Sequence, residues 1–213
     1  MELQQAVEAI RINLKCQNDF STNPIDLILP FIPPFRGKGD IKLIIIGQDP
    51  TIRNEISRKN ITCTLNLNKG NSLRTYIDTI CIGLGITIEN VYATNLFKYF
   101  YTVPPASTLT ILLNHLEPNL TLLQTELAEF KDAAILTLGE PVLQLLTNEN
   151  SKVKVFWNYN IKTRKSDELF TFSDPKDNKL GRVFYPFPHQ PSIQKEFYKN
   201  TLQSYLGFMK NQI

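Results

Sequence analysis

Three polar residues each follow a different stretch of the sequence that is expected to form a strand. Asp49 lies in GQDP after the apolar run 42–46, Asn95 follows the stretch VYAT, and His189 lies in PHQPS after a short apolar stretch. A carboxylate supplies negative charge or accepts a proton, an amide offers a donor and an acceptor together, and an imidazole donates a hydrogen bond to a growing anion. These residue types suit acid–base and electrostatic catalysis.

The aspartate loop has the features of a ligand-binding turn. The run 42–46 is too short to cross a membrane and rich in β-branched residues, which predicts a strand buried on both faces of a parallel sheet. Gly47 permits a sharp turn and a close approach of a ligand, and Pro50 stiffens the loop. On this stretch alone, the alternative that Asp49 only caps a helix or closes a turn has equal weight.

The elements around these residues alternate between strand and helix patterns. The predicted strands are 42–46, 88–94, 133–138 and 182–185, and the predicted helices are 4–15, 71–84, 107–130 with a break near Pro118, 140–146 and a last one from 193 to 209. This order predicts an α/β fold, a three-layer sandwich with a mostly parallel four-stranded central sheet. Carboxyl ends of parallel strands line one edge, where ligands usually bind, so Asp49, Asn95 and His189 are expected to converge.

Each of these residues also has a structural explanation. A single histidine after a strand is more often a hydrogen-bonded structural residue than a catalyst, and a single asparagine there is usually a cap or a turn residue. It is the expected convergence of the three that favours a site.

Three segments have weaker patterns. Residues 24–40 contain four prolines, which predicts an extended connection, and the polar segment 52–69 is a candidate wall of the site. Residues 147–179 are polar and rich in turn formers around Trp157, so we expect a peripheral excursion with a hairpin. The whole chain, 1–213, is expected to form a single domain.

Composition limits the class of protein. The apolar and charged fractions, 42% and 20%, are those of a globular protein, no apolar run spans a membrane, and the N-terminus lacks a secretory pattern, so we expect a cytoplasmic protein. Cys16, Cys63 and Cys81 fit neither a disulfide framework nor a CxxC metal site. His115 and His189 cannot build a histidine-rich site, so we expect neither metal nor cofactor.

The charge is unevenly distributed along the chain. Residues 151–213 hold 11 Lys and Arg against 5 Asp and Glu, a net charge of +6, whereas residues 1–150 carry −3. A basic face suits a polyanion. A solvated surface that happens to be basic explains the same numbers equally well.

Four motifs together resemble the uracil-DNA glycosylase superfamily. They are GQDP after an apolar strand, VYATNLFKY after a βα unit, TLGEPVLQLL as strand, glycine and helix, and PHQPS before the last helix. The resemblance spans residues 40–209, and the pair formed by GQDP and the distal histidine turn is its most specific part. It implies a monomeric DNA glycosylase that acts on a damaged base, most of all uracil, in base-excision repair.

The resemblance also implies roles for individual residues. Asp49 would orient or activate water and balance the cationic sugar, His189 would stabilise charge on the departing base, and Asn95 would read the base edge. The base must leave the helical stack first, and Ile193 falls at the place of the inserted apolar residue. The further candidates are substrate-binding Gln48, Pro50, Thr51 and Leu65, and DNA-binding Gln190, Ser192 and Ile193.

Several positions depart from the family pattern. Thr51 stands where the best-known members have a tyrosine that excludes thymine, so exclusion of thymine is not predicted. No aromatic residue lies in 56–70, and Leu65 is the candidate for the place of the base-stacking ring. The final turn reads HQPS, whereas the family pattern is His-Pro-Ser-Pro, so Ser192 is displaced by one residue. Some branches of the family bind an iron–sulfur cluster through four cysteines, which the three cysteines of this chain cannot do.

Three hypotheses follow, and the leading one is the DNA glycosylase. The alternative is a catalytically inactive nucleic-acid- or partner-binding module of the same fold. The absence of the tyrosine after GQDP and of a ring that could stack on the base favours it. A hydrolase of free nucleosides is the third, and it needs neither a basic face nor an inserted residue.

Overall fold

The centre of the protein is a β-sheet, described in a computed structural model that covers residues 2–17, 25–105, 109–167 and 169–212. Its strands are β1 (Phe35–Arg36), β2 (Leu43–Gly47), β3 (Val91–Asn95), β4 (Ala134–Leu138) and β5 (Tyr185–Phe187). Within the described residues the strand order is β1-β3-β2-β4-β5; β2 to β5 are parallel and β1 is antiparallel to β3. The predicted α/β fold with a mostly parallel sheet is confirmed, and β1 adds a fifth strand to the predicted four.

Strand β2 lies in the middle of the sheet. It pairs with β3 on one side, where Leu43 is opposite Val91, and with β4 on the other, where Leu43 is opposite Ala134. All five residues of β2 are buried. A strand covered on both faces needs apolar side chains at every position, which explains its uninterrupted run of branched residues.

The helices form two groups on the sheet. They are α1 (Leu3–Lys15), α2 (Glu55–Arg58), α3 (Ser72–Leu84), α4 (Leu109–Asn114), α5 (Leu116–Leu127), α6 (Glu140–Leu146), α7 (Val153–Phe156), α8 (Gln190–Ile193) and α9 (Glu196–Lys210). Helices α3, α8 and α9 contact one another, while α5 contacts α1 and α4, and α4 contacts α6. The connection from β2 to β3, which contains α3, runs towards one edge of the sheet, and the connection from β3 to β4, which contains α4 and α5, runs towards the other edge. Because crossovers between parallel strands are right-handed, these two connections place their helices on opposite faces of the sheet.

Most predicted helix boundaries agree with the structure. Helix α6 has the predicted bounds, and Asn71, the predicted start of α3, caps that helix by accepting a hydrogen bond from the amide of Arg74 at 2.8 Å. The break predicted near Pro118 lies at His115 instead, and the predicted start at residue 107 lies outside the described residues. The single last helix is wrong, because the chain forms α8 and then α9.

Strand β5 begins later than predicted and contains Pro186. Proline is tolerated there because β5 is an edge strand, where a missing N–H breaks no inner ladder. Arg182, which the sequence assigned to this strand, lies outside it and donates hydrogen bonds to main-chain oxygens at the end of α5 and in the turn before β4. It therefore caps α5 through its guanidinium group.

Residues 147–179 contribute a side chain to the core. Trp157 is fully buried, stacks on Tyr205 of α9 with ring centroids 4.4 Å apart, and donates a hydrogen bond to the main-chain oxygen of Pro186 at 2.7 Å. An isolated antiparallel bridge joins Tyr159 to Ser166 where a hairpin was expected. The segment is thus fastened to β5 and α9 by its indole ring. No helix of the described ranges is long and apolar enough to cross a membrane.

Candidate functional site at the carboxyl edge of the sheet

The aspartate loop is fixed beside the chain that follows β3. Gly47 and Asn95 form the last pair in the register of β2 and β3. Past this pair, the main-chain oxygen of Gly47 accepts a hydrogen bond from the amide of Leu96 at 2.9 Å. The oxygen of Gln48 accepts one from the amide of Phe97, also at 2.9 Å. The loop that carries the aspartate therefore runs alongside the asparagine.

Both carboxylate oxygens of Asp49 accept hydrogen bonds within the loop. Oδ1 accepts from the amide of Thr51 and Oδ2 from Nε2 of Gln48, each at 2.8 Å. Pro50 is buried, whereas Asp49 is only partly buried. The hydroxyl of Thr51 accepts a hydrogen bond from the amide of Tyr101 at 2.8 Å. Thr51 thus holds the loop in place through its side chain and orients the carboxylate through its main chain.

Burial raises the pKa of Asp49 to about 6. Hydrogen bonds from Thr51 and Gln48 and the charge of Arg58 act in the opposite direction, but the loss of hydration outweighs them. A carboxyl group with this pKa is mostly ionised at neutral pH and is still basic enough to accept a proton from water. The loop therefore carries a carboxylate that can act as a general base near neutral pH.

Arg58 fastens the chain beyond the aspartate loop. Its side chain is buried, and its Nε donates to the main-chain oxygen of Ile52 at 2.8 Å. Its Nη1 donates to the main-chain oxygens of Tyr101 and Thr102 at 3.2 and 2.9 Å. The sequence does not reveal this role, because an arginine within a polar segment gives no sign that it is buried.

Asn95 has an amide group without a partner. Its side chain is 1% exposed, and neither Nδ2 nor Oδ1 forms a hydrogen bond with the residues that the structure describes. Buried polar groups nearly always have partners, and an unpaired one costs about 1–3 kcal/mol. A Cβ at Gly47 would collide with Oδ1, so the glycine is needed for this arrangement. The described residues therefore leave the hydrogen-bonding capacity of this amide unused.

Leu65 lies against the same glycine. A Cβ at Gly47 would be 3.1 Å from Cδ2 of Leu65, which places this side chain next to Asn95. Leu65 and Asn66 have φ of 57° and 52°, in the left-handed region, which costs roughly 1–2 kcal/mol for a residue other than glycine. Backbone strain of this kind concentrates at functional sites. No sequence pattern predicted the strain.

His189 is positioned by the turns after β4 and β5. Its main-chain oxygen accepts a hydrogen bond from the amide of Ser192 at 2.7 Å, and the preceding oxygen, of Pro188, accepts one from the hydroxyl of Tyr76 at 3.2 Å. A Cβ at Gly139 would be in ordinary van der Waals contact with Cβ of His189, at 3.4 Å, but its φ of 100° is a conformation that L side chains rarely adopt. The glycine of the TLG motif is thus required by its backbone conformation beside the histidine.

His189 is an exposed residue, and its imidazole is neutral at physiological pH. Partial burial lowers its pKa from the ordinary value of 6.5. A neutral imidazole donates one hydrogen bond and stabilises a developing anion without first releasing a proton.

The three predicted residues share one edge of the sheet. Asn95 ends β3, Asp49 follows the adjacent β2, and His189 follows β5, which is separated from β2 only by β4. Neighbouring strands lie about 4.8 Å apart, so the ends of β2 and β5 are roughly 10 Å apart.

The DNA-binding candidates in α8 differ in exposure. Gln190 and Ser192 are partly exposed. Ile193 is 6% exposed and belongs to the hydrophobic core. A residue that inserts into a base stack must reach solvent, so Ile193 would have to leave the core to act as the inserted residue, and its assignment stays a prediction. The alignment by sequence could not show which face of the helix it occupies.

A buried ion pair behind Asn95 was also missed. Nζ of Lys98 lies 2.7 Å from Oε2 of Glu126 and donates to the main-chain oxygen of Asn95 at 2.7 Å. The hydroxyl of Tyr92 donates to Oε1 of Glu126 at 2.5 Å. Burial lowers the pKa of Lys98, while Glu126 favours its charged form. A lysine inside the apolar run ATNLFKYF is the signal that predicts such a pair.

Comparison with known proteins assigns the chain to a family. The family model of the Uracil DNA glycosylase superfamily matches residues 34–205, a range that includes all the candidate residues. No curated protein matches the chain. Among the residues that the structure describes, no group of three or more His, Cys, Asp or Glu side chains is arranged to hold a metal ion.

Proposed function

This chain belongs to the uracil DNA glycosylase superfamily, and we propose that it hydrolyses the N-glycosidic bond of a damaged base in DNA, with uracil as the substrate. Membership supports a glycosylase-like function in general. The observation that carries the specific proposal is the buried amide of Asn95, without a partner in the described structure and beside the loop of Asp49.

Asn95 is proposed to read the base. A flipped base is recognised through its Watson–Crick edge, and on uracil this edge offers a carbonyl oxygen beside an N–H group. The amide of Asn95 has the complementary donor and acceptor. Binding would restore the two hydrogen bonds that the fold leaves unmade, so the cost of burying the amide is recovered only with a matching ligand.

Asp49 and His189 are proposed to divide the chemistry. The oxygen of water bonds to the sugar carbon as the bond from that carbon to the base nitrogen breaks, and the electron pair leaves with the base. Asp49 as carboxylate accepts the proton of the water and balances the positive charge on the sugar. The neutral imidazole of His189 donates a hydrogen bond to the departing anion.

The remaining features of the proposal follow from this site. Water is the nucleophile, so the enzyme is monofunctional, and the three side chains come from one chain, so a monomer suffices. We include in the proposal that the protein uses no cofactor, flips the base into the site and acts in base-excision repair in the cytoplasm.

A panel of oligonucleotides tests the proposal. Single- and double-stranded DNA containing uracil, hypoxanthine, xanthine or a T:G mismatch is incubated with the protein, and abasic sites are revealed by alkaline cleavage. We expect cleavage at uracil. Because Thr51 is smaller than tyrosine and is bound to Tyr101, we also expect measurable cleavage at T:G. Intact strands for every base would contradict the proposal.

A catalytically inactive DNA-binding module is the second candidate, and Leu65 favours it. An aliphatic side chain lies beside Asn95 where the family resemblance places a ring that stacks on the base. This function predicts binding of the same oligonucleotides without release of a base. The affinity would fall steeply with salt, because phosphate contacts dominate such binding.

A further inference from the structure

The segment after α7 carries positive charge. Residues 157–167 contain three Lys or Arg and one acidic residue, Asp167. We call residues 158–167 the basic loop; its tip presents Lys162, Arg164 and Lys165, all exposed. None of these three side chains forms an ion pair with the part of the chain that the structure describes. The charge at the tip is therefore not neutralised by these residues.

The basic loop is internally ordered. The amide of Asn160 donates to the main-chain oxygen of Lys165, and the amide of Arg164 donates to the oxygen of Asn160, both at 2.8 Å. The hydroxyl of Ser166 donates to the main-chain oxygen of Trp157 at 2.8 Å and closes the base of the loop. These bonds hold the three cations together on one turn, which reduces the entropy lost on binding.

Trp157 fixes the loop to the framework of the site. Its indole donates to the oxygen of Pro186, three residues before His189, and its ring contacts Phe187 edge-on at 5.6 Å. Both residues belong to β5. The strand that positions the histidine therefore also positions the basic loop.

The loop lies at the same edge of the sheet as the site. Tyr159 contacts Phe197, in the first turn of α9, with ring centroids 4.8 Å apart. The other end of α9 reaches the opposite edge, where Lys210 lies near Gly85 in the turn that leads to β3. The first turn of α9 is thus on the side of His189. A cleft of about 640 Å³ between the loop and this helix is lined by two cations of the loop, Arg164 and Lys165, and by one acid of the helix, Glu196.

We propose that the basic loop is a second DNA-contacting element, which binds the phosphodiester backbone beside the nucleotide held in the site. The proposal rests on the proposed function for the choice of DNA as partner. Clustered, unpaired cations on an ordered turn bind phosphates without reading sequence. The loop would add affinity and leave the chemical step unchanged, because it is anchored to β5 but contributes no side chain to the site.

A matched pair of triple variants tests the role of the loop. One carries Lys162→Ala, Arg164→Ala and Lys165→Ala. The control carries Lys38→Ala, Lys42→Ala and Lys131→Ala, which removes the same charge from exposed positions at the opposite edge. Fluorescence anisotropy measures binding to a duplex with a tetrahydrofuran abasic site, which needs no turnover, across a series of salt concentrations.

We expect the loop variant to bind roughly tenfold more weakly, with a slope of log affinity against log salt that is shallower by about 2. The control should keep the slope of the wild type. Equal changes in both variants would show a net-charge effect only and overturn the proposal, as would an unchanged loop variant. If the wild type binds this duplex through the loop yet releases no base, the glycosylase proposal fails and the loop proposal stands.

Discussion

At the scale of residues, the site is built from groups that the fold keeps in costly states. The amide of Asn95 is buried without a partner in the described chain, Asp49 is an acid with a raised pKa, and Leu65 has a left-handed backbone. Each of these costs stability, and none is needed to form the sheet. Costs of this kind are typical of positions that a ligand compensates.

The pKa of Asp49 predicts the pH dependence of base release. Asp49 must be ionised to act, so the single-turnover rate should rise with pH through a midpoint near 6 and level off above 7. His189 acts as the neutral imidazole, and its pKa is lowered, so no decline is expected up to pH 8. Rates measured from pH 5 to 8 on uracil-containing DNA check this. A rate that does not change between pH 5 and 8 would show that the carboxylate is hydrated and titrates below this range, as an ordinary aspartate does.

The residue types at the site could be predicted from the sequence, but their surroundings could not. Asp49, Asn95 and His189 lie where the strand pattern placed them, because a parallel sheet brings its carboxyl ends together. The burial of Arg58 and Ile193 depends on contacts between segments distant in sequence. Local patterns carry no information about such contacts.

At the scale of elements, a buried ion pair joins the end of β3 to α5. Lys98 and Glu126 are 1% and 6% exposed, and the lysine also holds the main-chain oxygen of Asn95. Removing one partner leaves an uncompensated buried charge, which costs about 3–5 kcal/mol. The pair therefore fixes the position of Asn95 relative to the helix.

We predict that Lys98→Met lowers the free energy of unfolding by about 3–5 kcal/mol, and that adding Glu126→Leu recovers part of the loss because no charge then remains buried. Urea unfolding of the single and double variants measures the coupling. The control is Arg74→Ala, which breaks the more exposed pair with Asp78 and the hydrogen bond to Leu67. A coupling energy near zero would contradict this role of the pair.

The elements that could be predicted are those with long regular patterns. Strand β2 and helices α3 and α6 follow from apolar spacing and capping residues. Strand β1 has two residues, and only its pairing with β3 defines it. No glycine or proline marks the break between α8 and α9, so the sequence does not predict it. Pro186 led to a predicted strand that ends at residue 185, although β5 continues to Phe187.

In the whole molecule, the parallel sheet places the candidate catalytic and binding residues at one edge. The aspartate loop, the asparagine and the histidine turn follow three strands of one sheet, and the basic loop lies beside the last of them. The excess of positive charge in residues 151–213 is explained in part by that loop. A polyanion approaching this edge would meet the tip cations and the candidate site on the same side.

The most direct test of the central claim is the release of uracil from a U:G duplex under single-turnover conditions by three proteins. They are the wild type, Asp49→Asn, and Asp40→Asn as a control at the opposite edge. We expect the wild type to release uracil, Asp49→Asn to be slower by about 10²-fold or more, and the control to keep the rate of the wild type. Equal rates for Asp49→Asn and the wild type, or no release by the wild type, would contradict the claim.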